Sequence, residues 1–209
     1  MCTWKRPERL PLTLRMLEAQ DNMNFEFHIF NNNPAISTKI KPLIANHAWA
    51  HQVDSPTNIG GIGRFHLAKK LNKERILFID DDQEFGSSLI GDAHAHFEPK
   101  TVKSWWAWKI RRAYIDRTRV TQGEVDYCGT GGMVADGSVF QLPNCLNPPQ
   151  RYLFIEDLWL SMFAKHHGYR LGAFNTDISI RVDGKDQYPK LMQQKNRFYQ
   201  EYKNGKIRF

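Results

Sequence analysis

The chain has 209 residues, 41% hydrophobic and 24% charged, so we expect one domain with a sizeable core and exclude wholesale disorder. It has no run of about 18 apolar residues, which argues against a transmembrane helix, and we expect no secretory signal. Residues 101–209 carry 17 basic and 10 acidic groups, whereas residues 1–100 carry 12 of each. The basic half indicates either an anionic partner or only a solvated basic face.

The number and spacing of the cysteines indicate the redox state of the protein's cellular compartment. The three cysteines, Cys2, Cys128 and Cys145, are too few and too widely spaced for a disulfide scaffold or a zinc knuckle. This pattern is typical of a reducing compartment, so we expect the protein in the cytoplasm.

Short strands and helices alternate along the chain, which is typical of an α/β fold. The first half predicts strands at 1–4, 25–30, 49–53 and 75–79, and helices at 7–20, 36–46, 62–71 and 87–97. The second half predicts an aromatic-rich strand at 102–110, a glycine-rich strand and loop at 127–134, and helices at 155–167 and about 191–202. We therefore predict one domain with a mixed, mostly parallel central sheet flanked by helices.

Three aspartates follow the clearest predicted strand. Ligands of open α/β sheets bind at the carboxyl ends of strands, and adjacent carboxylates repel one another unless a cation offsets the repulsion. Strand alternation sends Asp80 and Asp82 to one side and Asp81 to the other. Hard oxygen ligands suit Mg²⁺ or Mn²⁺, so we predict a metal site at Asp80 and Asp82; the alternative is a polar turn.

Two further acids begin the helix predicted at 155–167. Ile155 and Leu158 belong to its apolar stripe, so Glu156 and Asp157 are expected to point away from the core. Acids at a helix N-terminus are stabilising in themselves, which is one sufficient explanation for the pair. A carboxylate held rigidly there is also suited to act as a general base.

A glycine-rich segment precedes the helix predicted at 62–71. It reads Asn58-x-Gly60-Gly61-x-Gly63-Arg64, which is neither the dinucleotide fingerprint nor a P-loop. Such a segment lets backbone N–H groups approach phosphate, and Arg64 can add a charge-assisted hydrogen bond. Taken alone, it is equally consistent with a tight turn.

The predicted aromatic-rich strand carries Trp105, Trp106 and Trp108 beside several basic residues. Such a cluster can stack on nucleic-acid bases, stack on a sugar ring, or lie at a membrane interface. We favour packing in the core or on the acceptor side, and we expect no nucleic-acid partner.

The order of these motifs resembles that of GT-A glycosyltransferases, enzymes that use a nucleotide-sugar donor and a divalent metal. The resemblance extends from Thr3 to about Tyr169. In order, the matching segments are Thr3-Trp4-Lys5-Arg6-Pro7, Phe27-x-Ile29-x-Asn31-Asn32, Asn58 to Arg64, Ile79-Asp80-Asp81-Asp82, Gly129-Thr130-Gly131-Gly132-Met133 and Glu156-Asp157. It implies a single GT-A, Rossmann-like domain over 1–209, with a nucleotide-binding part at about 1–100 and an acceptor-side part at about 101–209.

The resemblance also implies roles for particular residues. Contacts to a UDP-sugar are implied for Thr3, Trp4, Arg6, Asn32, Asn58, Arg64, Asp80, Asp81, Gly131, Gly132 and Glu156. Mn²⁺ or Mg²⁺ is implied at Asp80 and Asp82, with Asp177 or Asp183 as candidates for a third ligand. Asp157 is implied as the base that deprotonates the acceptor hydroxyl in an inverting mechanism.

The implied reaction moves a hexose or deoxyhexose from a UDP-sugar to a glycan or glycoprotein acceptor. Within the family, the chain is similar to the N-terminal glycosyltransferase domain of a multidomain protein of chlorella viruses, which implies host cytoplasm and further domains in a longer chain. The alternatives are a nucleotidyltransferase acting on sugar phosphates and a non-enzymatic module that binds glycans or nucleic acid. The first usually has a triphosphate loop near the first strand, which is missing, and the second has no need of three acids at a strand end.

Overall fold

The computed structural model describes residues 1–181 and 188–209, and its frame is a mixed β-sheet. The strands are β1 (Cys2–Thr3), β2 (Phe27–Asn31), β3 (Ala50–Asp54), β4 (Arg75–Phe78), β5 (Gln83–Phe85), β6 (Thr101–Ser104), β7 (Ala107–Ile110), β8 (Arg117–Val120), β9 (Gly123–Glu124), β10 (Tyr127–Cys128), β11 (Met133–Asp136), β12 (Arg170–Ala173) and β13 (Ile178–Ile180). The helices are α1 (Leu10–Glu18), α2 (Ser37–Ile44), α3 (Gly63–Leu71), α4 (Leu89–His96), α5 (Glu156–His166) and α6 (Tyr188–Lys203). The six predicted helices are all present, within a few residues of the predicted bounds.

The order of the strands places the start of the chain beside the aspartates. β1, β2 and β3 form a parallel sheet. A second, mixed sheet has five strands in the order β4-β11-β6-β12-β9. A parallel bridge between Cys2 and Asp80 joins the two sheets, so β1 and β4 end at the same edge. β6 pairs with β12 in parallel, whereas β11 pairs antiparallel with both β4 and β6. The predicted mixed α/β sheet is confirmed.

The prediction of one strand over 102–110 is wrong. The chain breaks at Trp105 and Trp106: β6 stays in the five-stranded sheet, and β7 leaves to pair with β8 and β10. The Trp106 N–H bonds the Ser104 hydroxyl at 2.9 Å, and the Trp105 N–H bonds the Gly132 carbonyl at 2.9 Å. A side chain and a loop therefore take hydrogen bonds that a continuous strand would give to its neighbour.

The largest core cluster lies around α3, α5 and α6. Trp159 and Phe163 of α5 pack there with Phe65 and Phe198 and are almost fully buried. Leu158 and Leu160 are buried as well, so α5 is enclosed on nearly every side rather than on one stripe. The first turn of this helix is therefore held firmly by the core.

Two expectations from the sequence concern the cysteines and membrane-spanning helices. Cys2, Cys128 and Cys145 are all buried and free, in agreement with the expected lack of disulfides. Across the described part of the chain, every helix is too short or too polar to cross a membrane.

Candidate active site

Two of the three aspartates lie in a turn. β4 ends at Phe78, Asp80 forms a parallel bridge with Cys2, and Asp81 and Asp82 form the turn that leads into β5. Strand alternation therefore does not extend to Asp82, because the chain leaves extended geometry after Asp80. Asp81 and Asp82 both approach Arg6 Nη1, at 3.1 and 4.0 Å, whereas Asp80 binds a different arginine.

Asp80 is held by groups from three other segments. Its carboxylate pairs with the Arg64 guanidinium and accepts the Thr130 hydroxyl at 3.3 Å. Its backbone N–H donates to Gln83 Oε1 at 2.8 Å. Burial acts to lower the pKa of Arg64, but Asp80, Cys2 and Glu156 together outweigh burial and raise that pKa. Arg64 is thus a permanent cation fixed at the end of β4.

Asp81 is held by the segment that follows β1. The Thr3 hydroxyl donates to Asp81 Oδ2 at 2.9 Å, and Arg6 Nη1 donates to Oδ1 at 3.1 Å. Arg9 Nε donates to the Asp81 carbonyl at 3.0 Å. Burial raises the pKa of Asp81, while Thr3 and Arg6 act in the opposite direction. Parallel alignment of β1 with β4 thus brings the predicted residues Thr3 and Arg6 together with the aspartates.

Asp177, one of the two candidates for a third metal ligand, does not join this group. The Asp177 carbonyl accepts from the Gly86 N–H, at one end of the β5–β13 pair. Arg181, at the other end, donates its N–H to the Asp82 carbonyl at 2.8 Å. Asp177 thus lies four residues along the ladder from Asp82, roughly 13 Å, too far to share an ion with it. Asp183 lies outside the described residues.

Asp80 and Asp82 nevertheless fit one kind of metal site. In the described ranges 1–181 and 188–209, no three His, Cys, Asp or Glu side chains are grouped to hold an ion by themselves. Mg²⁺ usually binds through one or two carboxylates together with substrate phosphates. The side chains of Asp80 and Asp82 are 28% and 20% exposed, so both can be reached from solvent. The chemistry of this donor set fits an ion shared with a bound diphosphate.

Gln83 is a site residue that sequence reasoning missed. It is 1% exposed, and its Nε2 atom has no hydrogen-bond partner. A Cβ atom at Gly131 would lie 2.6 Å from that nitrogen and 3.4 Å from Asp80 Oδ2. The missing Cβ therefore leaves space where an unsatisfied donor meets a carboxylate, which is a place for an oxygen-rich ligand. Its position directly after the aspartates was the available signal.

The two glycines predicted to contact the UDP-sugar, Gly131 and Gly132, have different roles in the structure. Gly131 opens the space beside Asp80 and Gln83 described above. Gly132 has a φ of +66°, and a Cβ there would lie 2.5 Å from Ile178 Cδ1 and 3.1 Å from Trp105 Cβ. Backbone conformation and packing therefore account for Gly132 without any ligand.

The asparagines predicted to bind the nucleotide serve the scaffold in this structure. Asn32 is buried, and its Nδ2 donates to Cys2 Sγ at 3.0 Å and to the Gly60 carbonyl at 2.8 Å. Asn58 is exposed, and its Oδ1 accepts the Gly60 N–H at 2.9 Å within a turn. Trp4 is partly exposed at the end of β1. Nucleotide contacts by these three residues stay predictions.

Glu156 was expected to point away from the core, and it does not. It is 8% exposed, and a Cβ at Gly61 would overlap its Oε1 atom. Burial and then the Asp157 charge raise the pKa of Glu156 to about 7, against the opposing effect of Arg64. The expectation was wrong because α5 is enclosed on nearly every side.

Asp157 belongs to a buried network that reaches α6. Its Oδ2 atom accepts the Tyr127 hydroxyl and, at 2.7 Å, Lys195 Nζ, which also lies 2.9 Å from the Tyr127 oxygen. The side chains of Asp157 and Lys195 are 13% and 9% exposed. Burial acts to lower the pKa of Lys195, but Asp157, Tyr114 and Glu156 together outweigh burial and raise that pKa. A lysine in the apolar stripe of the last helix was the sequence signal for this partner.

The two acids at the start of α5 therefore face different neighbours. Glu156 lies against Gly61 in the loop before α3, and Asp157 lies against Tyr127 and Lys195. The implied role of Asp157 as the base stays a prediction.

Comparison with solved structures identifies the fold. S. aureus TarS aligns with a TM-score of 0.60 and 18% identity over 91% of this chain and 38% of its own. Residues 1–349 of S. aureus TarS in complex with UDP align with a TM-score of 0.63 and 18% identity over 93% of this chain and 63% of that chain. GalNAc-T7 with UDP, GalNAc and Mn²⁺ aligns with a TM-score of 0.64 and 10% identity over 82% of this chain and 40% of that chain.

These neighbours are GT-A-type glycosyltransferases, so the predicted GT-A fold is confirmed. This chain spans less than two thirds of each of them. No family model and no curated protein matches the sequence. The resemblance to a chlorella-virus protein is not shown by these structures.

Proposed function

We propose that this protein is a glycosyltransferase that moves a hexose or deoxyhexose from a UDP-sugar to a glycan or glycoprotein acceptor. The observation that carries the proposal is the pair of ion pairs, Asp80 with Arg64 and Asp81 with Arg6, at the carboxyl end of β4 in a GT-A fold. The two neighbours solved with UDP support the choice of nucleotide.

The arginines suit a diphosphate leaving group. As the bond between the anomeric carbon and the phosphate oxygen breaks, that oxygen keeps the electron pair and gains charge. Arg6 and Arg64 are already oriented by their carboxylate partners, so they would stabilise this charge without reorganisation. The unsatisfied Gln83 Nε2 adds a neutral donor in the same place.

A divalent ion, Mn²⁺ or Mg²⁺, would supply further neutralisation of the diphosphate. Asp80 and Asp82 are the residues that would hold it, since their carboxylates are partly exposed at the same turn. The neighbour solved with Mn²⁺ supports this part of the proposal.

Asp157 is the proposed base in an inverting transfer. The acceptor oxygen bonds the anomeric carbon on the face opposite the leaving UDP, and its proton passes to the carboxylate. The ion pair with Lys195 Nζ, at 2.7 Å, holds this carboxylate in a fixed position. Glu156 suits this role less, because its Oε1 packs on Gly61 and leaves no room there for a hydroxyl group.

Titration with UDP tests the proposal directly. We expect UDP to bind, more tightly with Mn²⁺ than without, and UDP to be released from at least one member of a panel of UDP-sugars. Calorimetry measures the first and a UDP-release assay the second, with CMP as the control nucleotide. Equal or absent binding of UDP and CMP contradicts the proposal.

A further inference from the structure

A cluster of stacked rings and guanidinium groups lies where β6 leaves the sheet and β7 begins; we call it the tryptophan–arginine cluster, Trp105, Trp106, Trp108, Arg117 and Arg119. Trp105 and Trp106 stack with centroids 5.6 Å apart, and Trp106 meets Trp108 edge to face at 5.1 Å. The Arg119 guanidinium carbon lies 3.9 Å from the Trp105 ring centroid and 4.7 Å from that of Trp106.

Packing alone does not account for this cluster. Trp106, Trp108 and Arg119 are all partly exposed. The buried Nε of Arg119 and the buried Nε1 of Trp108 have no hydrogen-bond partner. Burial lowers the pKa of Arg119, and none of the described carboxylates forms an ion pair with it. Unsatisfied donors beside exposed ring surface indicate a ligand that brings acceptor oxygens.

The cluster borders the candidate active site through two connections. The Gly129 N–H donates to the Trp106 carbonyl at 2.8 Å, and the next residue, Thr130, contacts Asp80. Trp108 is paired with Tyr127 between β7 and β10. The Tyr127 hydroxyl in turn donates to Asp157. A molecule bound on the cluster would therefore lie beside both the aspartate turn and the proposed base.

We propose that the tryptophan–arginine cluster is the acceptor subsite and that it takes a saccharide carrying an anionic substituent, a phosphate or a carboxylate. The apolar face of a sugar ring stacks on exposed indole surface, as other flat apolar groups do. The Arg119 guanidinium, whose Nη2 donates to the Trp105 carbonyl at 3.4 Å, can bind an oxygen of either anion with a charge-assisted hydrogen bond. A neutral saccharide would give this cation no anionic partner. This proposal rests on the proposed function, because only a transferase has an acceptor.

A single-stranded nucleic acid would need a continuous cationic groove along its backbone. The neighbouring arginines do not provide one. Arg111 and Arg112 both lie within 4 Å of Asp116, at 3.6 and 3.8 Å, and Arg117 donates to the Tyr114 carbonyl at 2.9 Å. The cluster therefore offers a ring platform with an anion-binding point, which matches a substituted sugar better than a polyanion.

Binding of three small sugars tests the proposal. Calorimetry or ligand-observed NMR compares methyl β-glucoside, methyl β-glucuronide and glucose 6-phosphate on the wild-type protein. We expect at least one charged sugar to bind on the order of tenfold more tightly than the neutral one. The carboxylate and phosphate arms show which anion is preferred.

Two matched variants assign the effect to the cluster. Arg119→Gln should remove the preference for the charged sugar, and Arg119→Lys should keep part of it. Arg112→Gln removes the same charge from a side chain that is 94% exposed, and it should keep the full preference. UDP affinity and the melting temperature should match the wild type in Arg112→Gln, and UDP affinity should be unchanged in Arg119→Gln.

Several outcomes overturn the proposal. They are equal binding of the three sugars, no binding of any of them, and an unchanged preference in Arg119→Gln. Tighter, steeply salt-dependent binding of an oligothymidine that Arg119→Gln weakens would assign the cluster to nucleic acid instead. Failure of UDP to bind the wild-type protein refutes the proposed function and is read separately from the sugar titrations.

Discussion

Two clusters of carboxylates and cations lie in this fold, and they differ in their access to solvent. At the turn after β4, the side chains of Asp80 and Asp82 are 28% and 20% exposed. At the start of α5, those of Asp157 and Lys195 are 13% and 9% exposed. The turn is therefore suited to exchanging ligands, and the α5 cluster to holding one carboxylate in a fixed place. Substitutions at the turn should change ligand affinity, and those at α5 should change stability or turnover.

The largest expected effect follows from loss of the buried cation. Lys195→Met removes the cationic partner of Asp157 Oδ2 and leaves an uncompensated charge in an enclosed place. We expect the free energy of unfolding to fall by about 3–5 kcal/mol. Denaturant unfolding measures it.

The control is Lys165→Met, which removes a lysine whose side chain is 52% exposed and pairs with Asp126. It should change stability by about 1 kcal/mol or less. The double variant Lys195→Met with Asp157→Asn should recover part of the loss, because neither charge is then buried alone. Equal stability of Lys195→Met and Lys165→Met would show that the buried pair does not stabilise the fold.

Turnover separates the two acids at the start of α5. Asp157→Asn keeps the shape of the side chain and removes the proton acceptor, so kcat should fall on the order of a hundredfold or more. UDP affinity should not change, since Asp157 lies with Lys195 and not with the arginines at the turn. Glu156→Gln is the matched variant and should retain most of kcat. NMR of the product should show the anomeric configuration opposite to that of the donor.

The reverse outcome is equally informative. A large loss in Glu156→Gln with an active Asp157→Asn would assign the base to Glu156, the acid that lies against Gly61 in the loop before α3. Retention of configuration would exclude a single displacement and leave Asp157 a structural role in the network with Lys195.

The contrast between the clusters also explains what the sequence could predict. Thr3, Arg6 and Arg64 lie at the turn because β1 and β4 end at one sheet edge, and strand-end reasoning anticipates that. Lys195 lies 38 residues from Asp157 in another helix, and no local pattern specifies their contact. The buried position of Glu156 depends on how neighbouring elements enclose α5, which helical periodicity does not encode.

Short strands account for most of what was missed in the fold. β5, β9 and β13 have three residues or fewer, so they carry no periodicity to detect. Such strands form because an adjacent edge is available, as when β13 pairs with β5. The sidedness of the aspartates was missed for a related reason, since one residue of turn cancels strand alternation.

The pH dependence of stability probes the enclosed cluster in a third way. The pKa of Glu156 is raised from 4.5 to about 7, so the folded state keeps a proton that the unfolded chain releases between these values. Stability from this group is therefore lost as pH rises through that window. The glutamine of Glu156→Gln does not titrate. Relative to the wild type, the free energy of unfolding of this variant should therefore rise by about 2 kcal/mol between pH 5 and pH 8.

A difference between wild type and Glu156→Gln that stays constant from pH 5 to pH 8 would mean that Glu156 is ionised throughout.

The smallest expected effect belongs to the exposed turn. Asp82→Asn replaces a carboxylate with a neutral amide at a side chain that is 20% exposed, so the fold should tolerate it. We expect the gain in UDP affinity that Mn²⁺ provides to disappear, a change of about tenfold or 1.4 kcal/mol, while affinity without metal stays the same. Calorimetry with and without Mn²⁺ measures both quantities. Asp116→Asn, a change of the same chemistry on the β7–β8 hairpin, should keep the full metal effect. If Asp82→Asn also keeps the full effect of Mn²⁺ on UDP affinity, Asp82 is not a metal ligand. The turn after β4 would then not differ from the start of α5 by exchanging a metal ion at Asp82.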